Sequence, residues 1–380
     1  MQNLYHTRTN MTKTLELTKQ LVAIPSWVRA GCNEIAVGEF IYYWLQANTD
    51  LTVIKQPVKD GRFNVIAFDD SPTTLLLNGH IDTVEAGGNW NTDPFTPTIK
   101  DDRLYGRGTT DMKGSLAAML TAVSDNRNTK GLMVLCYIDE EYDFTGMLKF
   151  VEEYKDKIKP QLVVSLDGYA DTIGYACRGL IEVRFKVRGK SGHAGRPSLG
   201  KNAILLGTLL INQLILKLES DFTDPVQGPS TCNLAYLNGG LDLGSGKVGQ
   251  EGNNIADIAE LVLDIRPAVP SLDAMQVEEL ITTLAKKLGI QIESWTTRHN
   301  LGAWFTDPAI LQAQLDLPGN YEPFRGYVDT QMLWQCWDGV TCCAIGASTL
   351  ECAHAVDEYV EINNLEKTYL NVVKLIKKQV

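Results

Sequence analysis

Basic charge is in short supply in this chain. Its 35 lysines and arginines are outnumbered by 46 aspartates and glutamates, for a formal net charge of −11. A phosphate backbone needs a basic face, so nucleic acid is not an expected partner. Long apolar runs are missing too. No uninterrupted stretch reaches the roughly 20 residues that cross a bilayer, and the opening MQNLYHTRTNMTKTLELTKQ lacks the apolar centre of a secretory leader. Neither a membrane nor export is expected, and Met11 offers a second start. The eight cysteines include no CxxC pair, and Cys136, Cys342 and Cys343 sit inside apolar runs. That pattern reads as reduced, buried thiols of a cytoplasmic protein, not as a disulfide framework or a thiolate zinc site. Only Cys352, two residues before His354, leaves a thiolate ligand open. Histidine is scarcer still, at five residues, so each one in a patterned context carries weight.

What is present is an ordinary globular composition, 44% apolar and 21% charged. A chain of 380 residues exceeds what one core usually organises, so a large domain with a smaller one is expected. Up to about residue 175, short apolar runs such as LLLNG, GLMVLCYI and QLVVSL alternate with helical patterns; Met112, Leu116, Met119, Leu120 and Val123 recur at helical spacing. Strands alternating with helices imply an α/β domain, a mostly parallel sheet flanked by helices. Near Gly179 the character changes. LIEVRFKVRGK alternates apolar and polar residues, a helical run follows in NAILLGTLLINQLILKLESD, and STCNLAYLNGG, AELVLDIRP and LDAMQVEELITTLAKKLG complete an α+β pattern. The expected organisation is a main domain in two parts, residues 1–178 and 291–380, with an inserted domain at 179–290.

The polar residues that punctuate the strands are few and of one kind. His80 and Asp82 follow the LLLNG run, Asp111 follows YGRGTT, and Asp139, Glu140 and Glu141 follow GLMVLCYI; Asp167 follows QLVVSL, and His354 follows TCCAI. In an open parallel sheet, groups at the carboxyl ends of strands converge. Two imidazoles and several carboxylates without a thiolate pair suit a hydrolytic site for zinc, cobalt or manganese. A carboxylate shared by two such ions holds them ~3.5–4 Å apart. Each residue alone has a plainer reading: Asp111 could cap a helix, and Glu140 and Glu141 could be a solvated pair. Their joint placement at successive strand ends favours the metal site.

GHIDTV, PFTPTIKDDRLYGRGTTDMKGSLAAML, DEE and AHAVDEYV resemble the M20 metallopeptidase family, whose members include deacylases and peptidases, and the resemblance covers nearly the whole chain. It implies a zinc-peptidase-like catalytic domain with an inserted lid and dimerisation domain, hence a homodimer. It implies that His80, Asp111 and Asp167 hold one metal ion, that Asp111 bridges, and that Glu141 with His354 holds a second. Asp82 would orient His80, and Glu140 would be the general base. The family also carries a cis peptide bond after the bridging Asp, here Asp111–Met112. In the inserted domain, His193 of GKSGHAGRP would reach across from the partner subunit to a tetrahedral oxyanion, with a surface-loop histidine as the alternative. Asn253 and Arg266 would contact substrate. An Arg fork suits a carboxylate, though Arg266 could instead be paired within its own domain.

The chain departs from the deacylase pattern twice. Asp167-Gly168-Tyr169 stands where many deacylases have Glu-Pro-Thr, and Asp there is more familiar in the di- and aminopeptidases. Arg325-Gly326-Tyr327-Val328-Asp329 stands where a Gly-Gly-Thr loop is expected. The resemblance thus implies a di-metal amidohydrolase, most simply a zinc enzyme, that removes an acetyl- or succinyl-type group from a small N-acyl amino acid, as in arginine or lysine biosynthesis. A di- or tripeptidase or a carboxypeptidase is the alternative. A non-catalytic protein on this fold, or one structural zinc, would show missing ligands or a single closed ion.

Overall fold

The computed structural model describes the chain apart from Met1, Ala30, Arg325 and Gly339. Arg325 of the departing loop therefore lies outside the described residues. The chain forms two units: one comprises Met1–Tyr175, Phe305–Glu322 and Val328–Val380, the other Ala176–Trp304 and Pro323–Tyr327.

The first unit is a mixed sheet with a parallel centre. Strands Leu132–Tyr137, Leu75–His80, Leu162–Ser165 and Thr341–Ala344 lie side by side and run parallel. Arg62–Phe68 and then Thr52–Lys59 extend one side in antiparallel fashion, and Thr172–Cys177 pairs antiparallel on the other. Leu75–His80 and Leu132–Tyr137 are buried at every position, as strands covered on both faces must be. Helix Gly114–Asp125 is buried from Gly114 through Val123. It packs against the first helix, Gln2–Val22, and the last, Ile362–Gln379. Helical backbone thus begins ahead of Met11. Leu17, Leu21, Leu116, Leu120, Val372 and Leu375 are all buried, and each such side chain contributes about 1.5–3 kcal/mol.

The second unit is an antiparallel sheet in the order Val248–Gly249, Thr231–Asp242, Ile258–Arg266, Leu180–Arg188 and Gln291–Leu301. The last strand lies beyond residue 290 and pairs along Leu180–Arg188, so this unit extends past the expected boundary. Gln291–Leu301 has no buried position, though Ile292 and Trp295 pack against this unit's core. Phe185, Leu261 and Leu263 meet Leu210 and Leu214 of helix Ala203–Asp221 and Ile281 of helix Ala274–Leu288 in one core. Asn202 caps the first of these helices through Ile204 N and Leu205 N, and an Asp273–Gln276 capping box starts the second, each cap being worth roughly 1 kcal/mol.

Helix Ala203–Asp221 is the one element that bears on the membrane expectation among the described residues. Its 19 residues are long and apolar enough to cross a membrane by length and composition alone. Thr208, Asn212 and Gln213 interrupt the run, so the expectation that no uninterrupted apolar stretch is long enough to span a bilayer stands. Leu210, Ile211, Leu214 and Leu218 face the sheet, while Leu205, Leu209 and Leu216 are exposed.

Candidate metal centre

The first unit delivers its polar residues through strand register. His80 lies opposite Tyr137, Asn78 opposite Ser165, and Ser165 opposite Ala344. Four parallel strands therefore end on one line, and the residues just beyond them share one rim. Gly79 permits this locally, because a Cβ there would lie 2.5 Å from the Met112 methyl. Gly168 does the same for Asp167, since a Cβ would lie 2.8 Å from Ile345 N at the neighbouring strand's end. The Asp167-Gly168-Tyr169 departure is thus a close backbone approach as well as a change of side chains.

At the rim, the ligand atoms of His80, Asp111 and Asp167 lie within 4.8 Å of one another, and so do those of Asp111, Glu141 and His354. Asp111 belongs to both groups. Its Oδ1 lies 3.0 Å from His80 Nε2 and its Oδ2 lies 3.1 Å from His354 Nε2. His354 Nε2 is also 3.1 Å from Glu141. Asp111 is not a helix cap: it sits in a turn of non-helical φ/ψ ahead of helix Gly114–Asp125, whose N-cap is Lys113. The Asp111–Met112 peptide bond is cis. Cys352 belongs to neither group; its thiol donates to the Tyr359 and Thr349 carbonyls at 3.2 and 3.5 Å. All eight cysteines are free.

The three adjacent carboxylates Asp139, Glu140 and Glu141 divide. Asp139, held at a φ of 67°, turns its carboxylate onto Arg62 at 3.3 Å and the Thr145 hydroxyl at 2.5 Å. Glu141 contacts His354, whereas Glu140 lies in a group with His80 and Glu141. Asp82 is fully buried and acts in two ways. Its main-chain carbonyl lies 3.1 Å from His80 Nδ1, closer than its carboxylate at 3.4 Å. The carboxylate instead accepts the Glu140 and Glu141 amides at 3.1 and 3.0 Å. The sequence pointed to Asp82 as an orienter of His80; its grip on the loop that carries both glutamates went unread.

The electrostatics call for a cation. Burial pushes Glu140 well above the usual carboxylate range, with Asp329, Glu141 and Asp167 adding to it. Burial and then Asp111 push Asp167 up to about 7, and the same two causes raise Glu141. Burial works against ionised Asp111 as well, but hydrogen bonds with His354 and His80 outweigh it and hold the carboxyl well below its ordinary value. Those with Asp111 and Glu141 lift His354 to about 10. Four crowded carboxylates are costly unless positive charge sits among them, and a divalent cation supplies it. Hard oxygens with two imidazole nitrogens fit zinc, cobalt or manganese. With Nε2 facing a metal, the His80 Nδ1–H donates to the Asp82 carbonyl and fixes the ring.

In the second unit, His193 and Asn253 are neighbours. His193 bridges to Asn254, and Ala194 N donates to the Asn253 carbonyl at 2.9 Å. The exposed His193 ring accepts the Gly195 amide on Nδ1 at 3.0 Å. A neutral imidazole accepting on Nδ1 carries its proton on Nε2, so an outward N–H is available. Arg266 is already engaged: Nε and Nη2 fork onto Asp264 at 2.7 and 2.9 Å. That contact favours the alternative in which Arg266 is paired within its own unit.

The family model described as peptidase family M20/M25/M40 matches residues 76–378. The chain belongs to this family and is a hydrolase of amide bonds. It is 32% identical over 283 residues to an acetylornithine deacetylase of Proteus mirabilis, covering 70% of each chain. Its fold is similar to an M20 family metallo-carboxypeptidase from Sulfolobus solfataricus, with a TM-score of 0.79 at 18% identity over 97% of this chain and 99% of that one. It is also similar to a Bacillus subtilis protein described as a dinuclear metal-binding M20 peptidase, with a TM-score of 0.65 at 16% identity over 98% of this chain and all of the other.

Proposed function

We propose that the protein removes an acetyl- or succinyl-type group from a small N-acyl amino acid at a two-metal centre, zinc in the first place. The observation that carries this is the two oxygens of Asp111, each facing a different histidine. His80 and Asp167 would hold one ion with Asp111, and Glu141 and His354 the other. Bound there, the ions would supply Lewis acidity and a water of lowered pKa. Glu140 takes the proton of the attacking water on its carboxylate and hands it to the leaving nitrogen. Its burial favours the protonated state that the second half of that cycle needs. Asp82 keeps His80 and the Glu140–Glu141 backbone in place throughout.

His193 of the partner subunit would donate its Nε2–H to the carbonyl oxygen as negative charge develops. A dimer through the second unit is supported by the exposed Leu205, Leu209 and Leu216 on one helix and by Tyr236 and Leu237 on the strand Thr231–Asp242, which that helix packs against. Asn253, beside His193, would contact the substrate. Arg266 would meet a substrate carboxylate only by exchanging Asp264 for it. The free thiols fit a cytoplasmic setting.

The second reading is a di- or tripeptidase or a carboxypeptidase, favoured by Asp167 and by the peptidase named among the structural relatives. A panel of acetyl-amino acids, succinyl-amino acids and dipeptides, assayed on the zinc- and cobalt-loaded protein, separates the two. The proposal expects the highest kcat/KM on an N-acyl amino acid. Faster turnover of a dipeptide with a free amino terminus would replace it with the peptidase reading.

A further inference from the structure

We infer that Glu358 is the positioning residue of the centre: its carboxylate fixes the backbone that aims Asp111 and staples it to the loop carrying His354. This rests on Asp111 being the ligand shared by the two ions.

Glu358 is fully buried, and both its oxygens are committed. Oε1 accepts the Thr110 and Asp111 amides at 2.8 and 3.1 Å. Oε2 accepts the Gly108 amide at 3.0 Å and Arg107 Nη1 at 2.5 Å. Thr110 is gripped from the same stretch of chain: its carbonyl accepts the Ser348 hydroxyl and its hydroxyl accepts the Thr349 amide, each at 2.7 Å. Arg107 closes the joint by donating to the Ala355 carbonyl at 3.1 Å, one residue past His354.

The need for this staple follows from local geometry. Asp111 and Met112 have non-helical φ/ψ, so no helix ladder holds the Asp111 amide; Glu358 does. The 3.1 Å separation of Asp111 Oδ2 from His354 Nε2 is set at one end by the 108–111 turn and at the other by the 348–358 loop. Glu358 joins those two segments directly. A counter-ion for Arg107 would need one oxygen. Here the other oxygen is spent wholly on the amides of Thr110 and of Asp111 itself.

The test compares zinc affinity, by competition titration, and the visible spectrum of the cobalt-loaded protein between parent and Glu358→Gln. Loss of a group that orients a ligand typically costs ~10–100-fold in metal affinity, and that loss with an altered cobalt spectrum is expected while circular dichroism stays parent-like. A second variant, Arg107→Met with Glu358→Gln, removes both buried charges. It is expected to recover thermal stability but not zinc affinity. Parent-like affinity in Glu358→Gln overturns the inference. So does recovery of affinity in the double variant, since Glu358 would then serve only to neutralise Arg107. If Glu358→Gln does not fold, Glu358→Asp keeps the charge but falls short of the amides; it is expected to show the same loss, and parent-like affinity would overturn the inference. A parent that takes up one zinc contradicts the two-ion reading instead, because an ion touching Asp111 must still weaken when Glu358 is changed.

Discussion

Replacing Glu140 with glutamine lowers turnover by about 10²–10⁴-fold, the usual worth of a positioned general base, while metal content stays at the parent level. The split between two adjacent glutamates makes this a sharp expectation. Glu141 is the one in contact with His354, so Glu141→Ala loses bound metal. Glu140 makes no such contact among the described residues and sits beside His80. Gln keeps its shape and its amide on Asp82 but cannot take up a proton. Turnover and metal content measured on the same preparations check both halves. Near-parent turnover in Glu140→Gln would assign the proton transfer to another group.

His193→Ala is expected to cost about 10²–10³-fold, as loss of one oxyanion donor does. The argument is the tautomer: the Gly195 amide occupies Nδ1, leaving Nε2–H as the outward donor. If the histidine acts across a dimer, mixing His193→Ala subunits with Glu140→Ala subunits recovers activity, because one hybrid site then has both groups intact. Sedimentation of the same mixture reports whether a dimer forms. A dead single variant that mixing does not rescue removes the action in trans. A monomer in which His193→Ala barely changes the rate removes the donor role as well.

The first unit was readable because its signals are strong. Parallel strands buried on both faces are mostly apolar, so LLLNG, GLMVLCYI and QLVVSL mark where they run, and the polar residues at their ends mark the rim. The DEE triplet shows where such reading stops. Nothing in three consecutive acids says that Asp139 turns back to Arg62 and Thr145; the left-handed backbone at Asp139 decides that. Glu358 was hidden for a different reason. Its partners lie about 250 residues earlier in the chain, and an acid that accepts backbone amides leaves no sequence pattern. The second unit also takes in Gln291–Leu301, a strand with no buried position, so its membership is decided by pairing along Leu180–Arg188 and not by a buried face. Arg266 was the residue type that binds a carboxylate, and it does hold one: Asp264, two residues away on its own strand.

The central claim is that Asp111 joins two ions, and anomalous diffraction at the zinc edge from crystals of the zinc-loaded protein tests it directly. Two peaks about 3.5–4 Å apart are predicted, one against Asp111 Oδ1 with His80 and Asp167, the other against Oδ2 with Glu141 and His354. A single peak, or two peaks that leave Asp111 in contact with neither, would contradict the account.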